Sequence, residues 1–171
     1  MALTTQPLPL QAAYLVGGGA FPIWHGVEKA AQTYKRGALL QDDDAGRLTP
    51  SASPVDGSAV TKRAFGLALN DAKGTTGEDV PFVPVAEAQV YEGTLSDSTA
   101  GTHTLAQADQ WQTFPITKAT THWYLDANAV SDTGGGLVVG FKDAIGKVDG
   151  RVYFIITTPA RGGANAGSAN M

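Results

Sequence analysis

Alternation of apolar and polar positions is the clearest structural signal along this chain. Within residues 120–126 apolar and polar side chains follow a two-residue period, and the second half of 59–69 repeats it. This period is typical of β-strands that turn one face towards a core. By contrast, 152–156 is nearly all apolar, which predicts a central strand covered on both faces.

Short segments bounded by glycine, proline or aspartate predict the remaining strands. These are 12–16, 39–41, 47–49, 79–86, 88–95, 137–141 and 151–158. The Asp-rich stretch 42–46 predicts a hairpin turn, because Asp and Gly tolerate positive φ. Pro81 and Pro84 cannot donate ladder hydrogen bonds, so 79–86 is predicted to lie at a sheet edge or to carry a bulge.

Helix is expected only as short pieces at 27–33 and 104–112, where the runs of helix formers are brief. Together with 21 glycines and 9 prolines in 171 residues, the pattern predicts an all-β fold, a single β-sandwich or barrel-like domain. The predicted organisation is an N-terminal arm at 1–26, a β-rich domain at 27–158 and a flexible Gly/Ala/Asn-rich tail at 159–171.

An apolar cluster, Phe21-Pro22-Ile23-Trp24, follows three glycines at 17–19 in a segment without clear periodicity. It either caps the end of the β core or forms an arm that packs on another subunit. The prolines of 79–86 suggest a second exposed strand. The candidate partner-binding residues are Tyr14, Phe21, Ile23, Trp24, Val80, Phe82 and Val83.

Charge and composition argue against several classes of function, among them thiolate metal binding, nucleic-acid binding and membrane insertion. The chain has no cysteine, which excludes disulfides and thiolate metal sites. Its net charge is −4 and its basic residues are scattered, whereas nucleic-acid binding usually concentrates them on one face. No apolar run approaches the roughly 20 residues of a membrane span, and the N-terminus lacks the pattern of a signal peptide. We expect a soluble protein made in a cytoplasm, with neither nucleic acid nor membrane as partner.

No familiar catalytic or metal-binding pattern stands out. The adjacent Asp42, Asp43 and Asp44 point apart and lack the distal Glu of a calcium loop, and the three histidines are far apart. Nucleophile-elbow and phosphate-loop motifs are missing. We therefore expect a protein that is not an enzyme and needs no cofactor, although a hydrolase whose carboxylates meet only on folding stays open.

Three tryptophans offer a different interpretation. Trp24, Trp111 and Trp123 are of the residue type that stacks on sugars, and large aromatics equally favour cores and interfaces. A carbohydrate-binding, lectin-like domain is therefore the alternative function.

The order of the turn and strand motifs resembles the capsid cement, or head decoration, proteins of tailed bacteriophages. The similarity is carried by an aromatic-x-[Lys/Arg]-Gly-Ala-[Leu/Val] strand, a Gly-marked hairpin, a Gly-[Val/Leu]-Ala-Leu segment ending in Asp-Ala, a Gly-x-x-Val strand and two closing strands. In this chain they are Tyr34 to Leu39, Asp42 to Leu48, Gly66 to Ala72, Gly77 to Val80, His122 to Asp126 and Lys147 to Phe154. The similarity spans roughly residues 27–157.

The resemblance implies a structural virion protein on the capsid exterior, made in the cytoplasm of a host bacterium. Such a protein would bind the major capsid protein, cement neighbouring subunits and stabilise the head, and it would form a homo-oligomer, a trimer or a dimer, on the capsid surface. Many modest contacts repeated by symmetry suit this role, because multivalency raises the net affinity. A carbohydrate-binding virion domain is the alternative.

Overall fold

The computed structural model describes residues 7–43, 45–86, 89–128 and 134–161, and this part of the chain is all-β, as predicted. Three short 3-10 helices interrupt the strands, at Val60–Lys62, Gln107–Asp109 and Thr158–Ala160. The strands are β1 (Gln11–Leu15), β2 (Trp24–Glu28), β3 (Leu39–Asp42), β4 (Arg47–Pro50), β5 (Gly66–Ala68), β6 (Asp79–Pro84), β7 (Gln89–Ser96), β8 (Thr113–Phe114), β9 (Ile116–Ala119), β10 (His122–Asp126), β11 (Gly136–Phe141) and β12 (Arg151–Ile156).

The two predicted helices are not formed as such. Val27 and Glu28 complete β2, so the helix expected at 27–33 is wrong. The segment 104–112 contains only the single 3-10 turn Gln107–Asp109. Neither segment is long enough to form a stable helix without packing against another element. The conformation at the start of 27–33 is set by pairing with neighbouring strands.

Five strands in the first half of the chain close into a small barrel in the order β2-β4-β3-β5-β6. β6 pairs with both β2 and β5, so the prediction that it lies at an edge is wrong. Its proline at position 81 donates nothing, yet its carbonyl oxygen accepts a hydrogen bond from the Leu69 N–H at 3.0 Å. Pro81 thus takes part in the barrel as an acceptor, although proline cannot donate to the ladder.

Phe82 fills one end of the barrel interior. A Cβ atom placed on Gly66 would overlap its ring, and a Cβ on Gly26 would overlap Leu48 and touch the same ring. These two glycines therefore have a packing role: they let the backbone of β2 and β5 approach an aromatic ring.

The second half of the chain forms most of a seven-stranded sheet. Six strands follow the order β8-β11-β12-β7-β10-β9, and the seventh, β1, pairs with β7 outside this order. β12 lies between β11 and β7, which confirms its predicted central position, but its residues alternate between buried and half-buried. All eight residues of β7 are buried. The strand covered on both faces is thus β7, not β12.

Barrel and sheet share one hydrophobic core. Val55 and Ile116 bridge them with two backbone hydrogen bonds, of 2.7 and 3.2 Å, and the Ala64 N–H donates to the Ala160 carbonyl oxygen at 2.7 Å. Leu10 also packs between them, since a Cβ on Gly93 of β7 would overlap its side chain. The barrel is therefore held against the sheet by backbone pairing as well as by apolar packing.

The ends of the chain are more integrated than the sequence predicts. Residues 11–15 form a strand of the sheet, and Trp24 begins a strand of the barrel. Part of the segment predicted to be an arm, 1–26, therefore belongs to the folded domain. At the other end Ala160 is fully buried and Arg161 bridges to Ala64. Residues 160 and 161, predicted to belong to the flexible tail, are therefore part of the fold. Residues 1–6 and 162–171, on which the rest of both predictions falls, lie outside the described residues.

Candidate docking surface

The apolar surface of this protein is concentrated near the start of the chain. No Asp, Glu, Lys or Arg precedes Glu28 in the sequence. Six of the nine large apolar side chains that the described residues expose lie in this uncharged stretch. They are Leu8, Tyr14, Val16, Ile23, Trp24 and Val27. We call residues 7–27 the uncharged segment; contiguous apolar exposure of this kind marks interaction surfaces.

Trp24 stands at the mouth of the barrel with about half of its surface, 52%, exposed. Its ring centroid lies 6.4 Å from that of Phe65 and 6.3 Å from that of Phe82. The position follows from the register of β2, which places Trp24 directly opposite Phe82. One face of the indole is therefore fixed by the barrel core, and the rest is free to meet a partner.

A groove lies beside this tryptophan, between the chain entering β1 and the outer face of the barrel. Phe21 and Ile23 line it together with Leu10, Ala12 and Leu67. Its volume is about 340 Å³, and Arg36 is the charged side chain in its lining. The groove is open to solvent and mostly apolar, a shape that suits an inserted apolar side chain with a polar neighbour.

Phe21, Ile23 and Trp24 thus lie side by side next to the barrel, and their binding of a partner stays a prediction. Ile23 is 58% exposed and Phe21 is half-buried. Tyr14 lies elsewhere, on β1, where its ring meets Tyr153 edge to face at 5.8 Å. It is about half exposed, so the uncharged segment presents two separate apolar patches.

Of the other three predicted partner-binding residues, Val80 and Phe82 do not belong to this surface, and Val83 contributes only a nearly buried side chain to the groove lining. Val80, Phe82 and Val83 are 3%, 2% and 2% exposed. Their assignment as contact residues is corrected here: β6 is a fully paired strand of a closed barrel, and these side chains pack in the core. The two prolines that suggested an exposed strand are accommodated inside the barrel ladder.

The tryptophans do not form a common platform. Trp123 is fully buried, so it cannot stack on a sugar. Trp111 is 65% exposed and adopts a left-handed backbone conformation, with φ +70°. The backbone N–H of Trp111 donates to the Val138 carbonyl oxygen at 2.8 Å. This hydrogen bond holds the strained residue beside β11. Trp24 and Trp111 are the two indoles available to a partner.

Charged side chains mainly tie elements together. Glu92 of β7 is buried and forms ion pairs with Lys142, at 2.8 Å, and with Arg151. Asp43 accepts hydrogen bonds from Arg47 and from the Ala45 N–H. Burial alone would raise the pKa of Asp43, but these hydrogen bonds and the Arg47 charge outweigh it, so the pKa lies below its ordinary value.

Histidine and carboxylate groups also pair locally. His25 Nδ1 lies 2.8 Å from the Asp79 carboxylate, and His103 Nε2 lies 2.9 Å from that of Asp109.

Within the part of the chain that the structure describes, no three His, Cys, Asp or Glu side chains converge as metal ligands would. In the same residues, none of the helices has the length and apolar character of a membrane span.

The uncharged segment was missed as a unit by sequence reasoning, which found only its Phe21–Trp24 cluster. A count of formal charges along the chain would have revealed it, since 27 residues pass before the first Asp, Glu, Lys or Arg. Comparisons with protein-family models, with curated proteins and with solved structures found no match to this chain.

Proposed function

We propose that this protein is a non-enzymatic structural protein of a bacteriophage head. It binds the outer surface of the shell built by the major capsid protein and cements neighbouring subunits. The uncharged segment carries the attachment, with Trp24, Ile23 and Phe21 as anchors. This proposal joins the resemblance of the strand and turn motifs to head decoration proteins with the position of the exposed apolar side chains.

The observation that carries the proposal is the exposure of three large apolar residues in and directly before strand β2 of the barrel. Ile23, Trp24 and Val27 are 58%, 52% and 43% exposed, while Trp24 rests on Phe65 and Phe82. Large aromatic anchors held in place dominate binding energies at interfaces, because little conformational freedom is lost when they are covered.

The same surface argues for a shell of protein as the partner. The chain carries a net charge of −4, and the charged groups at its docking surface are few: Arg36 lines the groove and Asp79 pairs with His25. Attachment must then depend on apolar contact and on backbone hydrogen bonds, each modest in strength. A symmetric shell offers the same contact many times, and a homo-oligomeric decoration protein engages several copies at once, which raises the effective affinity.

The test is decoration of empty shells assembled from the major capsid protein that is encoded in the same genome. Purified protein is mixed with the shells, and the bound fraction is measured after sedimentation. Trp24→Ala should reduce binding about tenfold or more, as expected for an interfacial aromatic anchor. Trp111→Ala, which removes a more exposed indole outside the uncharged segment, 65% against 52%, is the matched control and should bind as the wild type does.

Two results would overturn the proposal. Failure of the wild-type protein to bind the shells would remove the capsid function. Loss of binding in Trp111→Ala with full binding in Trp24→Ala would move the docking surface to the other indole. A glycan array probed with the same two variants tests the carbohydrate alternative, which predicts retention of sugars by an exposed tryptophan.

A further inference from the structure

β1 has one paired side and one open side. Among the described residues its partner is β7, with Gln11 opposite Glu92 and Leu15 opposite Gln89. The barrel strands are closed on themselves, and they offer no comparable edge. An open edge presents backbone N–H and C=O groups that can pair with a further strand.

Sheet edges in soluble proteins are usually protected by charged side chains, by proline, by bulges, by shortness or by a covering loop. The other two outer strands follow this rule: β9 carries Lys118, and β8 has only two residues. β1 has five residues, Gln-Ala-Ala-Tyr-Leu, with neither charge nor proline. Its one irregularity is a bulge between Ala12 and Tyr14.

The surroundings of β1 leave room for a neighbour. Val16, directly after the strand, is 65% exposed. The loop continues with three glycines, and a Cβ placed on Gly17 or Gly18 would meet no atom within 4 Å. Tyr14 is held against Tyr153 and still exposes about half of its surface. A strand laid along the open edge would find apolar side chains on its flank and open space at the Val16 end. At the other end Gly37 approaches the backbone of Leu10, where its Cβ would lie 2.7 Å from the carbonyl oxygen, so the accessible part of the edge is its second half.

We propose that the open edge of β1 pairs antiparallel with β1 of a second copy of this chain, joining two seven-stranded sheets into one across a two-fold axis. Charge is the reason to favour a second copy. An isologous contact brings identical residues close together, so a charge on this edge would face the same charge, at a cost in stability. The edge is free of charge in a protein whose net charge is −4.

This pairing stands on the strand itself and does not depend on attachment to a shell. It supplies a copy-to-copy contact on β1, at the Tyr14 patch, and leaves the Trp24 patch free for a different partner. A pair of copies would then present two Trp24 patches, and the linkage between them would raise the apparent affinity of each for a repeated surface.

The test is the association state of the full chain, measured by sedimentation equilibrium over a wide concentration range. The wild type should show a monomer–dimer equilibrium. Ala13→Lys and Ala13→Glu, in the middle of the strand, should each weaken dimerisation about tenfold or more, because like charges would meet across the axis. Mixing the two variants should restore dimers, since opposite charges then face each other.

Matched controls separate edge pairing from general effects of charge. Ile145→Lys and Ile145→Glu place the same charges on a side chain that is 52% exposed and lies outside the uncharged segment; they should dimerise as the wild type does. Because Ala13 is half-buried, thermal unfolding is recorded for each variant. The exposed Gln11, changed to Lys and to Glu, provides a second pair of variants if either Ala13 variant fails to fold.

Three outcomes would overturn the proposal. These are a wild type that stays monomeric at every concentration, dimers that survive in both charge variants, and a mixture of Lys and Glu variants that remains monomeric. A monomeric wild type whose shell binding is abolished by Ala13→Lys would assign the edge to a strand of the shell protein instead. Shell binding by the wild type without any dimer would leave the proposed function intact and reject the pairing alone.

Discussion

Trp24 lies opposite Phe82 in the ladder between β2 and β6, and the two rings meet edge to face with their centroids 6.3 Å apart. Phe82 in turn packs on Phe65 at 5.5 Å. A half-exposed indole is thereby connected to the interior of the barrel through a buried ring. The rigidity of the docking surface depends on the packing of the barrel, so that stability and binding are coupled through Phe82.

Phe82 and Gly66 should therefore show a coupled response to substitution. Gly66→Ala places a methyl group against the buried ring and should lower the free energy of unfolding by about 1–3 kcal/mol through overpacking. In Gly66→Ala/Phe82→Leu the smaller side chain makes room for the methyl group, and the loss should be less than the sum of the two single losses. Urea denaturation of the three variants measures this coupling.

Gly140→Ala is the control for that cycle. It also adds a methyl group to a strand glycine, but the new Cβ would lie at an ordinary contact distance, 3.9 Å, from Tyr153. Its unfolding free energy should stay within about 0.5 kcal/mol of the wild type. Strict additivity of Gly66→Ala and Phe82→Leu would contradict the steric explanation for the glycine.

Glu28 should be sensitive to the loss of its charge. Its carboxylate is buried, and it accepts hydrogen bonds from the Lys73 N–H at 3.0 Å and from the Gly74 N–H at 2.6 Å. Glu28→Gln keeps the shape but turns one acceptor into a donor that faces a backbone N–H. We expect a loss of about 1–3 kcal/mol in unfolding free energy, measured by urea denaturation at neutral pH.

Glu78→Gln is the matched control for Glu28. Its carboxylate is 40% exposed and pairs with the Lys73 ammonium, a surface contact worth about 0–1 kcal/mol. Equal losses in the two glutamine variants would mean that the backbone hydrogen bonds of Glu28 contribute no more than an exposed ion pair.

Acid should destabilise the hairpin between β3 and β4. Hydrogen bonds from Arg47 and Ala45, acting against burial, hold the pKa of Asp43 below the ordinary value of 3.8. A carboxyl group with a lowered folded-state pKa stabilises the fold above its unfolded pKa, and this contribution is lost as the pH falls through the folded pKa. Stability should therefore decline below about pH 4.

Asp43→Asn tests that assignment, because the amide cannot titrate. The variant should be less stable than the wild type at neutral pH, and its unfolding free energy should fall less steeply below pH 4. Guanidinium denaturation at several pH values compares the two slopes. Parallel curves for variant and wild type would show that Asp43 does not contribute to the acid response.

Attachment to the shell should depend only weakly on salt. The uncharged segment brings no formal charge to the contact, and NaCl at about 1 M shortens the Debye length to about 3 Å, which removes mainly surface charge terms. Decorated particles washed in rising NaCl should retain the protein, as measured by sedimentation. Complete release below about 0.5 M NaCl would instead show that charge holds the complex.

The fold class and most strand positions follow from the sequence because a two-residue period favours extended backbone. Residues 122–126 formed β10 as this period predicts, although residues 123–126 are all buried and the burial does not alternate. The hairpin after β3 could also be predicted from the sequence, because three Asp and a Gly favour a turn through their local backbone preferences.

What the sequence did not reveal depends on contacts between distant residues. β7 is the most buried strand, yet Gln89, Glu92, Thr94 and Ser96 give it a polar composition. The buried charge of Glu92 is compensated by Lys142, directly after β11, and by Arg151 of β12, both distant in sequence. Closure of the barrel likewise changed β6 from a predicted edge into a fully paired strand, and no local pattern encodes closure.

Part of the docking surface was within reach of the sequence and part was not. Phe21, Ile23 and Trp24 stood out as an apolar cluster beside glycines, and the structure keeps them exposed or half-buried on the barrel. Val80 and Phe82 looked equivalent by composition but face the core. An apolar residue carries no mark of which side of a closed barrel it will face unless the register of its neighbours is known.

The pairing of Gln11 with Glu92 has a consequence for synthesis of the chain. At roughly 5–20 residues per second, β1 emerges from the ribosome several seconds before the strand that will cover it. During that interval the least charged part of the protein is exposed without its partner, on every nascent copy of a polysome. The order in which the strands are made therefore places a risk of premature association at β1, whose partner strand follows much later in the chain.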